Sequence, residues 1–102
     1  MTRLALSTQA YLDVEGILTD LMAKAGPWVA VKYDGIFERL YARLVEHPNS
    51  GAPRPVLGEN VRIAVAAPFI VIYKHGQESD VVTVLRIVDG RRRISGSLLP
   101  RG

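Results

Sequence analysis

Cysteine is absent from this chain of 102 residues, so neither a disulfide framework nor a thiolate metal site can form. That absence makes a reducing compartment, the cytoplasm, the default expectation. Long apolar runs are absent too: the longest, from Ile63 to Tyr73, is interrupted by Pro68 and falls far short of the roughly 20 residues of a spanning helix. The start of the chain lacks the apolar stretch of a signal peptide. We therefore expect one globular domain over residues 1–102 and no membrane segment.

Catalytic patterns are also missing. The two histidines, His47 and His75, have no acidic or cysteine companion at a metal-ligand spacing, and we interpret them as a helix-end charge and a solvated turn residue. Ser95-Gly96-Ser97 lacks the residues that flank a nucleophile elbow, and the chain has no glycine-rich phosphate-binding motif. We expect no catalytic residue, no metal and no cofactor.

Two amphipathic helices are predicted in the first half of the chain. The first begins at a Ser7 or Thr8 cap and ends at Gly26, because glycine tolerates the left-handed turn that follows a helix. The second runs from Pro27 to His47 and stops before a proline. The short connection predicts an antiparallel helix hairpin. Apolar residues recur at helical spacing, at Ala10, Val14, Ile17, Leu18 and Leu21 and then at Val29, Tyr33, Ile36, Phe37, Leu40 and Leu44.

The second half is predicted to form a sheet. Three strand-like runs cover Val61–Ala66, Phe69–Lys74 and Val81–Val88, a loop covers residues 49–60, and a short first strand covers Arg3–Leu6. Alternation places Phe69, Val71 and Tyr73 on one face of the middle run, and Val82, Val84 and Val88 on one face of the last. The predicted fold is α+β, with the order β-α-α-β-β-β and an antiparallel sheet packed against the helix hairpin.

Positive charge is concentrated in the second half. The net charge is +3 and the pI about 9.6, and the candidate cluster consists of arginines, at Arg54, Arg62, Arg86, Arg91, Arg92 and Arg93. Guanidinium groups bind carboxylates and phosphates through two parallel hydrogen bonds, which favours a docking patch for an acidic partner. Two plainer readings stay open: Arg86 pairs with a carboxylate across the sheet, and Arg91–Arg93 form a solvated strand exit. The acids Asp13, Glu15 and Asp20 are interpreted as a solvated helix face.

The order of these features resembles the RelE/ParE toxins of bacterial type II toxin–antitoxin modules, which include plasmid stabilisation proteins, and specifically the ParE branch. The segments that carry the resemblance are Leu4–Ser7 with Ala10 and Asp13, Glu46–Pro48 with Gly51 and Arg54-Pro55, Arg62, Ile70–Tyr73, and Val84–Val88 with Gly90–Arg92. The resemblance implies a protein that poisons DNA gyrase by binding, without chemistry of its own, and that a ParD-like antitoxin neutralises.

The RelE branch is the alternative, and it implies ribosome-dependent cleavage of messenger RNA. The resemblance places lysines, an arginine and a late tyrosine at its catalytic positions, whereas this chain has Arg62 and Ala64 on the first middle strand, Ile70 near the expected arginine, and no tyrosine after Tyr73. An inactivated family member is the third possibility that we keep.

Two contact surfaces are expected. The target-facing surface is predicted at Arg91, Arg92, Arg93, Ser95, Leu98 and Leu99, with Arg54 and Arg62 nearby and Arg86 in the same cluster. The antitoxin is expected on apolar surface along the helix hairpin and the sheet edge, at Leu21, Trp28, Val31, Tyr41 and Phe69, with a core position as the alternative for Trp28. No sequence-specific DNA binding by the toxin alone is expected, because both helices are too long for a helix-turn-helix motif.

Overall fold

The computed structural model describes residues 1–91, which form two helices and a five-stranded sheet. The helices are α1 (Thr8–Ala25) and α2 (Pro27–Glu46), and the strands are β1 (Arg3–Leu6), β2 (Ala52–Pro53), β3 (Val61–Ala66), β4 (Phe69–Gly76) and β5 (Val81–Asp89). Within the described residues, neither helix has the length and apolar character to cross a membrane.

The strand order in the sheet is β1-β5-β4-β3-β2. The predicted antiparallel meander consists of β3, β4 and β5, and β2 pairs with β3, also antiparallel. β1 instead pairs with β5 in parallel, which makes the sheet mixed. The helix hairpin separates β1 from the meander, and a long crossover of this kind allows parallel pairing where a tight turn does not. The predicted α+β class is confirmed, with one parallel pairing and the short β2 as additions.

The helix hairpin forms as predicted because its boundary residues make the expected contacts. The Ser7 hydroxyl accepts a hydrogen bond from the Ala10 amide at 3.0 Å and donates one to the Leu85 carbonyl at 2.9 Å, so it both caps α1 and attaches it to β5. Gly26 alone separates the two helices, at a φ of 91° that side chains rarely adopt, and Pro27 starts α2.

Within the described part of the chain the core has two parts, one on each face of the sheet. The larger lies between the helix hairpin and the sheet and includes Phe37, Leu44 and Val71, all almost fully buried. The smaller lies on the other face and includes Leu57 and Ile72. The helices thus cover one face of the sheet, and the 3-10 turn at Pro55–Leu57 contributes to covering the other.

A β-bulge changes the predicted facing of β5. Tyr73 pairs with Val84 and Ile72 with Arg86, which leaves Leu85 as an extra residue in the strand. As a result Ile87 packs in the larger core and Val88 in the smaller one, the reverse of the predicted alternation. Strict alternation fails here because one unpaired residue moves every following side chain to the opposite face.

His75 is a second departure from the sequence interpretation. β4 continues to Gly76, so His75 lies in the strand rather than in the turn, with only 16% of its side chain exposed. Its Nε2 lies 2.9 Å from Asp80 Oδ1, and the Thr2 hydroxyl donates to the same oxygen at 2.9 Å. The hydrogen bonds from His75 and Thr2 lower the pKa of Asp80 below its usual value. Asp80 therefore joins β4 to the start of the chain.

Candidate functional site

Arg86 is a structural residue, which corrects its assignment to the target-binding patch. Its guanidinium donates to the Asp13 carboxylate from Nε at 2.8 Å and from Nη2 at 3.1 Å, and the Ile87 amide donates to the same carboxylate at 2.9 Å. Only 14% of the Arg86 side chain and 10% of the Asp13 side chain are exposed. Asp13 is therefore not part of a solvated helix face: it joins α1 to the bulged part of β5.

Arg62 is also largely committed to the fold. Its Nη1 donates to the carbonyl oxygens of Asn49 at 3.0 Å and Gly51 at 2.8 Å, so the guanidinium holds the segment that leads from α2 into β2. Arg54, one position beyond β2, is exposed, and its Nη1 donates to the neighbouring Pro53 carbonyl at 3.2 Å. Of these two arginines, Arg54 is the one whose charge faces solvent.

Tyr73 completes the same loop attachment. Its hydroxyl donates to the Pro48 carbonyl at 2.9 Å and accepts from the Gly51 amide at 2.8 Å, and its side chain is fully buried. Gly51 must be glycine here, because an added Cβ would lie 2.5 Å from the tyrosine oxygen and 2.6 Å from the Ile63 carbonyl. The last tyrosine of the chain therefore has a structural role and is inaccessible to a substrate.

Arg91 is the one residue of the predicted C-terminal surface that the structure describes. Its side chain is 87% exposed and binds the Asp89 carboxylate through Nε at 3.0 Å and Nη2 at 2.6 Å. Hydrogen bonds from Arg91 lower the pKa of Asp89 to about 2. The remaining predicted residues of this surface, Arg92, Arg93, Ser95, Leu98 and Leu99, lie outside the described residues.

The described arginines do not form one continuous patch. Arg62 pairs with Tyr73 near the start of β3, whereas Asp89, next to Arg91, pairs with Phe69 at the other end of β4. Tyr73 and Phe69 are four positions apart on β4, which is about 13 Å along the strand. The expectation that Arg54 and Arg62 lie near Arg91 is therefore wrong, because the antiparallel register places them at opposite ends of the sheet.

The predicted antitoxin contacts divide into exposed and buried residues. Trp28 is 86% and Val31 64% exposed at the start of α2, so Trp28 is not a core residue. Tyr41 is buried in the larger core and cannot form part of an exposed surface; burial, together with the charges of two nearby carboxylates, raises the pKa of Tyr41 to about 12. Its hydroxyl has no hydrogen-bond partner among the described residues.

Phe69 is buried as well, against two aromatic rings of α2. Its centroid lies 5.6 Å from that of Tyr33, edge to face, and 5.7 Å from that of Phe37. Phe69 nevertheless forms part of the wall of a groove of about 210 Å³ between α1 and the end of β5, which Leu21 and Arg91 also line. The structure thus brings Leu21 and Phe69 together in one groove and leaves Trp28 and Val31 on the surface of α2.

Several exposed apolar residues were not singled out from the sequence. Tyr11, Leu12 and Met22 are at least half exposed on α1, and Val65 is 61% exposed on β3. The signal for the α1 residues was their position outside the predicted apolar stripe of the helix. No sequence signal marks Val65, because an edge position becomes evident only when the strand order is known. Within residues 1–91 no group of three or more histidine, cysteine or acidic residues is placed to hold a metal ion.

Comparison with known proteins shows what this arrangement is similar to. The model of a family described as the ParE toxin of the type II toxin–antitoxin system parDE matches residues 4–94. The fold is similar to a solved structure of the chromosomal ParDE toxin–antitoxin system from P. aeruginosa, with a TM-score of 0.71 and 24% identity over 87% of this chain and 96% of that one. It is also similar to the toxin–antitoxin complex RelBE2 from Mycobacterium tuberculosis, with a TM-score of 0.62 and 18% identity over 86% of this chain and 90% of that one. No curated protein matches the sequence.

Proposed function

This chain belongs to the ParE toxin family of type II toxin–antitoxin systems, and we propose that it acts by binding and poisoning DNA gyrase, with no chemical step of its own. In this proposal gyrase breaks the DNA and the toxin holds the enzyme in the broken state. Gyrase acts on DNA in the cytoplasm, so the proposal places the toxin there as well.

One observation supports a binding mechanism. The positions at which a ribonuclease of this family would need reactive groups are occupied by residues that hold the fold together. Arg62 is bound to two backbone carbonyls, Ala64 is a core residue, and the hydroxyl of Tyr73 is buried between two backbone groups. General acid–base catalysis requires a group that reaches the substrate at hydrogen-bonding distance. Ala64 and Tyr73 offer no such group, and Arg62 uses its Nη1 to hold two backbone carbonyls.

The proposed gyrase-contacting surface is the C-terminal end of β5 and the arginines that follow it. Arg91 supports this assignment because its guanidinium is almost fully exposed, although Asp89 holds it in one orientation. A guanidinium that is oriented in advance loses less side-chain entropy when it binds an acidic partner.

The experiment that tests the proposal is a supercoiling assay with purified gyrase, scored for loss of supercoiling and for linear DNA from trapped cleavage. A ribosome-dependent messenger-cleavage assay is run on the same sample. Blocked supercoiling with linear DNA is the expected result. Intact gyrase together with cut messenger would instead support the RelE-type alternative, and no effect in either assay would contradict both.

A variant pair makes the test specific to the proposed surface. Replacing Arg91–Arg93 by alanine is expected to abolish gyrase inhibition, with the fold checked by circular dichroism. The control is Arg3→Ala with Lys74→Ala, which removes two exposed positive charges from the opposite end of the sheet. Inhibition that survives in the Arg91–Arg93 variant would remove this surface from the proposal.

The second part of the proposal is neutralisation by a ParD-like antitoxin. Two solved structures with this fold are of toxin–antitoxin systems, and this chain exposes Trp28 and Val31 on α2. Exposed apolar residues that lie side by side can mark an interaction site, and tryptophan is among the residues enriched in binding hot spots. We expect Trp28→Ala to leave stability within about 0.5 kcal/mol of wild type and to weaken antitoxin binding at least tenfold. Unchanged affinity would show that the antitoxin binds elsewhere.

A further inference from the structure

One flank of α2 carries a tryptophan and three cations. The residues are Trp28, Lys32, Arg39 and Arg43, and all four are exposed. At about 100° per residue, their directions around the helix fall within about 60° of one another. They extend for about 22 Å along the helix axis, from the first turn to the last, where Glu46 ends the helix. We call this surface the α2 flank.

The charge of the α2 flank is positive only. The acidic residues between positions 28 and 43 are Asp34 and Glu38, and both project about 110–150° away from the mean direction of the flank. Within residues 1–91 no ion pair or side-chain hydrogen bond engages Lys32, Arg39 or Arg43. The three cations are therefore available to a partner.

A glycine inside α2 shapes the flank. Gly35 lies between Lys32 and Arg39, and Arg39 Nη1 lies 3.3 Å from the position that a Cβ on Gly35 would occupy. The guanidinium therefore folds back over the glycine, toward the helix N-terminus, as long helical side chains do. Lys32 Nζ lies 6.0 Å from the centroid of the Tyr33 ring. Glycine lowers the stability of a helix interior, and here the missing side chain leaves open space between two cations.

The α2 flank lies at the same end of the sheet as the proposed gyrase contact. Arg39 lines a groove together with Ala66 of β3. Ala66 pairs with Phe69, and Phe69 pairs with Asp89, whose carboxylate binds Arg91. Ala66 and Asp89 are two strand spacings apart, which is about 10 Å. A partner that contacts Arg91 is therefore close to the flank.

The groups on the α2 flank match those of a DNA end. Duplex DNA carries one charge per about 1.7 Å of its axis, so its phosphates meet a line of cations without a matched register. A break in the duplex exposes the flat face of its terminal base, and an exposed indole stacks on such a face. Proteins bind single strands without reading their sequence by placing an aromatic side chain beside a basic surface.

We propose that the α2 flank binds the end of the DNA that gyrase has broken. Trp28 stacks on the terminal base, and Lys32, Arg39 and Arg43 bind the phosphates that lead to it. A terminal base held in this way does not align with the other end, which keeps gyrase in the broken state. The inference rests on the proposed poisoning of gyrase and adds a contact with DNA that reads no sequence.

Other partners match fewer of these groups. A second copy of this chain would bring the cations of both copies together, where like charges repel. An acidic protein segment satisfies the cations but offers Trp28 no base to stack on, and binding of such a segment is an outcome of the test below. Trp28 is also the proposed antitoxin contact, so we expect antitoxin and DNA to exclude each other.

The first test uses the fluorescence of Trp28, which is the only tryptophan of the chain. A short single-stranded oligonucleotide is titrated into the purified toxin at several salt concentrations. We expect quenching of the indole and a slope of about −2 for the logarithm of the binding constant against that of the salt concentration, because each of three phosphate contacts contributes about −0.7. Polyglutamate is the comparison probe, and we expect it to bind at least tenfold more weakly.

Two variant pairs make the test specific. Arg39→Gln with Arg43→Gln removes two phosphate contacts, so the salt slope should fall to about −0.7. Arg3→Gln with Lys74→Gln removes two exposed cations elsewhere and should leave the slope unchanged. In the gyrase assay the flank pair and Trp28→Ala should each give at least tenfold less linear DNA than wild type, and the control pair should differ less than threefold. Circular dichroism checks the fold of each variant.

The contrary outcomes are distinct. Unquenched Trp28, equally tight binding of polyglutamate, or the same salt slope in both variant pairs would overturn the DNA-end contact. Linear DNA at the wild-type level from the flank variants would also overturn it and would leave the proposed function intact. A wild-type toxin that traps no linear DNA would overturn the proposed function and the DNA-end contact together.

Discussion

The Asp13–Arg86 ion pair offers the clearest test of the fold, because it joins α1 to β5 across 73 residues of sequence. Asp13→Ala removes a carboxylate that accepts hydrogen bonds from Nε and Nη2 of Arg86 and from the amide of Ile87. Only 14% of the Arg86 side chain and 10% of the Asp13 side chain are exposed. Water therefore cannot readily replace the lost partner. Removing one member of a buried pair costs about 3–5 kcal/mol.

That loss is large compared with the total stability of the domain. At about 0.05–0.15 kcal/mol per residue, the free energy of unfolding of a domain of this length is about 5–15 kcal/mol. Urea unfolding followed by circular dichroism measures the effect: with an m-value of about 1–3 kcal/mol per molar, the midpoint should fall by more than 1 M.

A double-mutant cycle separates loss of the pair from loss of packing. Arg86→Met removes the buried guanidinium but keeps an apolar stem of similar length. The Asp13→Ala, Arg86→Met variant should be more stable than the sum of the two single changes predicts, because it leaves no buried charge behind. A cost below about 1 kcal/mol for Asp13→Ala, as for an exposed ion pair, would refute the reasoning, and so would strict additivity in the cycle.

Three further predictions concern single side chains. Tyr73→Phe removes the hydroxyl that bridges two backbone groups of the loop before β2, and it should cost about 1–3 kcal/mol in urea unfolding; no loss would mean that water takes over these bonds. Tyr41→Phe removes a buried hydroxyl without a described partner, so we expect unchanged or slightly raised stability, and a loss above about 1 kcal/mol would reveal a hydrogen bond in solution. The pKa of Asp89, about 2 in the folded protein, is below its unfolded value, so its ion pair contributes stability above about pH 4 that is lost as the pH falls toward 2. NMR titration of the Asp89 carboxyl should show this pKa, and Arg91→Gln should return it toward 3.8; a wild-type midpoint near 3.8 would contradict the pairing.

Local sequence signals predict most of the helices and strands of this protein. The helical spacing from Ala10 to Leu18, the serine cap at Ser7 and the Gly26-Pro27 boundary depend only on neighbours along the chain, and the helices form at these residues. Alternation placed Phe69, Val71 and Tyr73 on one face of β4 for the same reason, and the structure packs that face against the helices. Boundaries and faces are predictable where a residue's role depends on the few residues beside it.

The arginines show what local sequence signals do not predict, namely which charges are paired and which lie together on the surface. The sequence left two readings of Arg86 open, and only the packing of α1 on β5 brought Asp13 to it. Arg62 and Arg91 carry the same charge in the sequence, yet the register of the meander places them at opposite ends of the sheet. Ion-pair partners and charged surface patches depend on contacts between segments that are far apart along the chain. A short stretch of sequence does not contain both segments.

Tertiary structure alone forms a groove of about 320 Å³ between α2 and β3, lined by Ile36, Arg39, Leu40, Arg43, Val65 and Ala66. In the sequence Val65 is one more apolar residue of a strand, and Arg39 and Arg43 are ordinary charges on a helix. Their meeting depends on β3 lying next to the shortest strand of the sheet, so that within residues 1–91 half of the β3 edge has no partner strand beside α2. The sequence by itself determined the helices, the meander strands and the family resemblance, because these follow from periodicity and order along the chain. The tertiary structure decided which charges are paired and which edge is free, because both depend on strand order and register.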